Sequence, residues 1–205
     1  MSSPPAGQRL PRGRHGLTRD EVVGSQRSRL LRALAETMAE KGYAQTSVAD
    51  VLRSAGVSRE TFYEQFSSKA DCFMTAYETA VELVLAGMPA TPAEGGDRLE
   101  RFDRAIGAYL DALAAEPAFA RLFLLEVYAA GPAALARRAE AQARFVERLS
   151  RLLGPRDATE RFAVEALVAA VSSMVTAKLA AGDVDGLRAL RTPVCELVSR
   201  ALPGG

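Results

Sequence analysis

Between Thr46 and Lys69 the chain gathers the residue types that hydrogen-bond to a polyanion and to base edges: Thr46, Ser47, Ser58, Arg59, Glu60, Thr61, Tyr63 and Lys69. Hydroxyls, a guanidinium, a phenol and an ammonium supply donors for phosphate oxygens. Arginine and the short hydroxyl side chains also match the acceptor pattern of base edges in a major groove. The chemistry of bond breaking is not assembled anywhere. The single histidine, His15, sits in a Pro-, Gly- and Arg-rich opening segment, and no phosphate-binding, dinucleotide, zinc-hydrolase or nucleophile-elbow motif occurs. The Asp and Glu residues are spread as on solvated helix faces. Cys72 and Cys195 lie far apart among apolar neighbours, which suits reduced thiols rather than a disulfide or a metal pair. No catalytic residue, no metal and no cofactor are expected.

Such polar groups read DNA only when a rigid support presents them, and the local pattern supplies one. Ser47 followed by Asp50 is a capping-box-like pair opening a helix whose inner face is Val48, Val51, Leu52 and Ala55. Gly56 stops that helix and admits a positive φ, and Ser58 caps the next one. Val57 before the cap and Phe62 at the fourth helical position form a hydrophobic staple, with Phe66 one turn further on the same side. Ser68 and Asp71 repeat the capping signature and open a long helix carrying Phe73, Met74, Tyr77, Val81, Val84 and Leu85. Before this unit, Leu30, Leu31, Leu34, Ala35 and Met38 form the stripe of a helix beginning near Ser25 and closing at Lys41-Gly42. A helix, a tight turn and a second helix with a polar outer face make a helix-turn-helix. Glu60 and Glu64 fit a phosphate-facing helix poorly, although glutamate favours a helix N-terminus and can accept from cytosine.

In these residues the chain resembles the TetR family of bacterial transcriptional regulators. The resemblance rests on Thr46-Ser47-Val48, on Ala55-Gly56-Val57-Ser58-Arg59-Glu60-Thr61-Phe62-Tyr63-Glu64-Gln65-Phe66, and on Lys69, within residues 26 to 85. It implies that Thr46, Tyr63 and Lys69 contact phosphates while Ser58, Arg59 and Thr61 meet bases. It further implies a homodimer on a palindromic operator of double-stranded DNA, repression more than activation, and release by a small-molecule effector held among the middle helices. Candidate pocket residues are Phe102, Ile106, Tyr109, Phe119, Phe123, Tyr128, Phe145 and Met174, which favour an apolar or amphipathic ligand with Tyr109 and Tyr128 as polar handles. Aromatics at this spacing also fit an ordinary core.

The remaining chain reads as helix almost throughout, so the fold class is all-α: an N-terminal three-helix unit joined by a long fourth helix to a C-terminal helical half. Pro and Gly concentrate at 87–97, dividing a flexible basic arm (1–24), a DNA-binding domain (25–86) and an effector-binding and dimerisation domain (87–205). Glu116-Pro117, Gly131-Pro132, Gly154-Pro155 and Gly182-Asp183 mark further stops and restarts, with the last long helices near 158–181 and 192–202. Their valines and leucines, Val168, Val171, Val175, Val194, Leu197 and Val198, with Ala201, read as the faces that pair two copies.

Charge supports the same picture. The net charge is +1, yet seven arginines against Asp20 and Glu21 give residues 1–32 a balance of +5. Arg9, Arg12 and Arg14 are placed to follow a minor groove from the arm, or to stay solvated. No uninterrupted apolar run approaches about 20 residues, so no membrane partner and a cytoplasmic location are expected. A helical adaptor without effector control and, more remotely, an enzyme are the rival readings. An adaptor has no evident use for Lys69 or for the polar face after Ser58.

Overall fold

The computed structural model describes residues 19–89 and 97–201, with side chains from Gly24 onward. Helix α1 (Arg19–Lys41) ends where Gly42 turns left-handed and donates to the Met38 carbonyl at 2.8 Å. Three short-range caps then set the next elements. Ser47 opens α2 (Val48–Ala55) through a reciprocal box with Asp50, Ser58 opens α3 (Arg59–Gln65) by accepting from the Thr61 N–H, and Ser68 opens α4 (Lys69–Gly87) by accepting from the Asp71 N–H. Each cap satisfies backbone donors that the helix itself leaves unpaired. Beyond the boundary segment follow α5 (Arg98–Ala115), α6 (Pro117–Leu124), a 3-10 turn at Glu126–Tyr128, α7 (Pro132–Leu153), α8 (Ala158–Ala180), α9 (Val184–Ala189) and α10 (Arg191–Ala201). Among the described residues no strand occurs, and the fold is all-α as expected.

The four Pro and Gly stops fall at helix ends. Pro117 and Pro132 occupy first turns, where a missing N–H costs nothing, and Gly154 and Gly182 take the positive φ of helix exits. Helix α1 starts six residues before the expected Ser25, and α9 was not expected at all, being too short to show a period.

One hydrophobic core runs through both halves of the chain. Helix α1 packs on α2, α4 and α6, so the reading unit rests directly on the later helices rather than hanging from α4 alone. Leu30, Leu34, Met38, Phe62, Phe73 and Tyr77 are fully buried. Each such side chain removed from water contributes about 1.5–3 kcal/mol. Salt bridges reinforce the same seams: Arg32 of α1 grips both carboxylate oxygens of Glu116 at 3.0 and 3.2 Å, and Arg144 of α7 reaches Glu78 of α4 at 2.6 Å.

Helix α8 corrects one expectation. By length and composition alone it is apolar enough to cross a membrane, although Glu165, Ser172, Ser173 and Thr176 interrupt its apolar runs, in keeping with the absence of an unbroken run near 20 residues. Its valines, however, do not face outward. Val168, Val171 and Val175 of α8, and Val194 and Val198 of α10, are buried inside the protomer, so they are not available as the pairing faces read from the sequence. Of that set Leu197 stays half exposed (50%) and Ala201 exposed. The outer face of α8 is instead Phe162, 70% exposed, followed by Ala166, Ala169, Ala170, Ser173 and Ala177. A helix apolar nearly all round gives no sequence signal for which side turns inward.

Candidate functional site

The reading surface is built by three brackets around α3. Phe62 is completely buried and Phe66 nearly so, their rings 5.6 Å apart. Arg27 of α1 lies 4.6 Å above the Phe66 ring and donates to the Gln65 carbonyl at 3.3 Å, which ties the far end of α3 to α1. Gly56 has φ +63°, the left-handed conformation a turn this tight requires, and both its N–H and that of Val57 return to the Leu52 carbonyl. With the inner face so held, Ser58, Arg59, Glu60, Tyr63 and Glu64 are exposed and Thr61 is half-buried. The Ser58 and Thr61 hydroxyls share a 2.9 Å hydrogen bond, so part of the expected base-reading pair also serves as the cap.

Two expected phosphate anchors point elsewhere. Thr46 is 2% exposed and its hydroxyl donates to the Gly42 carbonyl at 2.8 Å. Lys69 turns its ammonium into the α1–α2 loop, donating to the Tyr43 and Thr46 carbonyls at 2.8 and 2.9 Å and lying 4.2 Å from the centre of the Tyr43 ring. Burial lowers its pKa. The loop carbonyls face the first turn of α4, and an ammonium there satisfies them and the ring face together. Ser47 stays exposed at the end of this loop, its hydroxyl engaged by Asp50 at 2.7 Å. Hydrogen bonds from Ser47 and Lys41 hold Asp50 well below the usual carboxylate range. Arg9, Arg12 and Arg14 lie outside the described residues.

The same loop is gripped from the other half of the chain. Glu126, in the 3-10 turn after α6, accepts the Tyr43 N–H at 2.7 Å. Two residues on, the Tyr128 ring lies 5.0 Å from the Arg138 guanidinium of α7.

Arg138 borders a cavity of about 60 Å³ enclosed by α4, α5, α6, α7 and α8. Five expected residues line it: Phe102, Ile106, Tyr109, Phe123 and Phe145. Three do not. Phe119 is buried toward α1, its ring 5.9 Å from Arg32; Tyr128 is exposed outside the cavity; Met174 lies on a flanking face of α8. Val168 and Val171, read from the sequence as dimer contacts, form part of the wall instead. Tyr77, Arg138, Gln142 and Ser172 were missed, as were the apolar wall residues Met88, Leu124, Leu149 and Leu167. A signal existed for Arg138: it interrupts the inward stripe of α7 made by Ala134, Ala141, Phe145, Leu149 and Leu152. Tyr77 brings α4, the helix that opens beside the reading head, to the cavity wall, where its ring stands 5.4 Å from Phe123. Burial pushes the Tyr77 and Tyr109 phenols far up, so both keep their protons and are available as donors. The thiols are inert for the same reason. Burial raises Cys72 to about 12, and burial beside Asp103 raises Cys195 to about 11.

Residues 30–75 match the family described as bacterial regulatory proteins, tetR family. The chain is 29% identical over 109 residues to the HTH-type transcriptional activator FasR of Mycolicibacterium smegmatis, covering 51% of this chain and 48% of that protein. It thus spans about half the length of the curated relatives it matches. Two solved structures share the fold: the fatty acid degradation regulator FadR of Bacillus halodurans (TM-score 0.73, 22% identity, 88% of this chain and 97% of that one) and FadR of Bacillus subtilis in complex with stearoyl-CoA (TM-score 0.70, 19% identity, 87% and 98%). The curated relatives are transcriptional regulators, not enzymes.

Proposed function

We propose that this chain, whose residues 30–75 match the family of bacterial regulatory proteins, tetR family, is a cytoplasmic repressor that grips a palindromic operator as a homodimer and releases it when a small apolar or amphipathic effector fills the cavity. The observation that carries the reading is α3 itself: a helix of exposed polar residues locked from behind by Phe62, Phe66 and Arg27. Ser58, Arg59 and Thr61 meet bases, Tyr63 and Ser47 meet phosphates, and Glu60 supports the helix N-terminus. Thr46 and Lys69 act from behind, holding the loop that presents Ser47. The arm arginines Arg9, Arg12 and Arg14 extend the contact along the minor groove. Removal of residues 1–16 then weakens operator binding and flattens its salt dependence.

One such head covers few base pairs, so two are needed about 34 Å apart on one face of the duplex. The outer alanines of α8 with Phe162, continued by Leu197 and Ala201 of α10, are an uncovered apolar surface on which a second copy fits. Effector control is supported by the cavity and by the likeness to a regulator solved with stearoyl-CoA. A ligand pressing on Tyr77 reaches the reading unit through α4, and one that shifts Arg138 reaches it through the Tyr128 ring against that guanidinium and the Glu126 bond to the Tyr43 loop.

Fluorescence anisotropy with DNA flanking the chain's own gene tests the reading: specific binding that weakens steeply with salt is expected. Absence of any specific binding at low salt sinks it. One matched relative is an activator, which gives activation a place as the second reading. A promoter-reporter assay separates the two, since loss of the gene raises expression under repression and lowers it under activation.

A further inference from the structure

We infer that the cavity takes an organic anion, an apolar body ending in a carboxylate head that pairs with Arg138. The inference rests on the effector reading above and names the chemistry of that site.

Arg138 is unusual among the cavity-facing groups. Its Nη1 donates to Gln142 Oε1 at 3.4 Å and its Nη2 to Ser172 Oγ at 3.3 Å, both long and both to neutral partners. Its Nε is buried without a partner. Among the described residues no carboxylate forms a salt bridge with it, and none lines the cavity. Elsewhere in the same half, Arg98, Arg144 and Arg191 each meet a carboxylate. A guanidinium at a partly dry site without a counter-charge is unfavourable, and a partner that carries negative charge and accepts several N–H bonds suits it best. The second buried group lacking a partner at this wall is the Tyr77 hydroxyl, which burial keeps protonated. Both unsatisfied groups therefore offer donors, and an acceptor-only anionic head completes them. A cationic or purely hydrocarbon ligand leaves them as they are.

The rest of the wall fits the body of such a molecule. Phe102, Ile106, Leu149, Leu167, Val168 and Val171 present apolar surface only. The volume accommodates about four to six waters, so a short amphiphile enters with little rearrangement, and a longer one requires the helices to part. The Tyr128 ring beside the guanidinium holds Arg138 in place from the outside, which preorganises the head-group end.

The test is calorimetric titration of the full chain with octanoate, methyl octanoate and octylamine, alongside anisotropy on the operator. Octanoate is expected to bind at least about 10-fold tighter than either other compound. Arg138→Gln should weaken octanoate by at least about 30-fold while changing methyl octanoate by less than about 3-fold. Arg138→Lys keeps the charge and should restore the preference for the anion. The comparison of the three head groups on the unaltered chain stands even if a variant fails to fold. Equal binding of the three compounds, or an anion preference that survives in Arg138→Gln, overturns the inference while leaving the effector reading intact. If none of the three binds, or if binding leaves operator affinity unchanged, the effector reading falls and this inference with it.

Discussion

The reading head and the cavity are built from similar side chains, hydroxyls, aromatics and a few cations, but they are finished differently. In the head the buried and interfacial polar groups have partners, most of them within four residues: Ser47 with Asp50, Ser58 with Thr61, Thr46 with Gly42, and Lys69, from further along the chain, with the loop carbonyls. In the cavity wall the Tyr77 hydroxyl and the Arg138 Nε have none. A surface that must fit one rigid duplex gains from being satisfied and stiff before contact. A pocket that must sense a ligand gains from donors the ligand alone can complete. The contrast also assigns the two halves different tolerances, packed tightly behind α3 and loosely around the cavity.

Substitutions on either side test that contrast. Phe62→Ala removes the fully buried brace of the head and should cost about 3–5 kcal/mol in chemical denaturation, with loss of DNA binding. A cost under about 1 kcal/mol would show that the head is not tightly packed. Gly56→Val forces a β-branched residue to φ +63° and should cost about 1–3 kcal/mol, measured by thermal unfolding. Lys69→Met leaves the Tyr43 and Thr46 carbonyls without their donor and should cost about 1–3 kcal/mol. Its log-log salt slope for operator binding should stay unchanged; a slope lower by about 1 would make Lys69 a phosphate contact after all.

In the other half, Val171→Leu adds one methylene beside open space and should change stability by less than about 1.5 kcal/mol, while weakening effector binding in calorimetry. A loss as large as that of Phe62→Ala would mean the cavity is not available space. The smallest effect concerns acid. Hydrogen bonds from Arg156, helped by Arg98, hold Glu160 down to about 2 against an ordinary value of 4.5. Because the folded-state value is the lower one, this contribution is present above pH 4.5 and is lost as the pH falls through about 2. Glu160→Gln should flatten the acid limb of the stability curve in that window and leave reading-head variants additive with it.

Legibility in the sequence followed the range of the interaction. The caps at Ser47, Ser58 and Ser68 and the Gly56 turn are each decided within four residues, so the helix-turn-helix and its outward polar face were readable directly. Five of the candidate pocket residues line the cavity, because bulky apolar residues on α5, α6 and α7 had to meet somewhere inside. The all-α class, most helix ends and the architecture of the reading head were thus legible from local residue patterns. Packing between distant segments set the rest: Lys69 turns toward a loop more than 20 residues before it, Val168 and Val171 of α8 line the cavity while the alanines of its outer face stay exposed, and Arg138 stands at an apolar wall without a counter-ion. Separation along the chain accounts for the difference. A cap is a contract between neighbours, whereas the face a helix hides and the partner a cation lacks depend on α4, α5 and α7 arriving from 30 or more residues away.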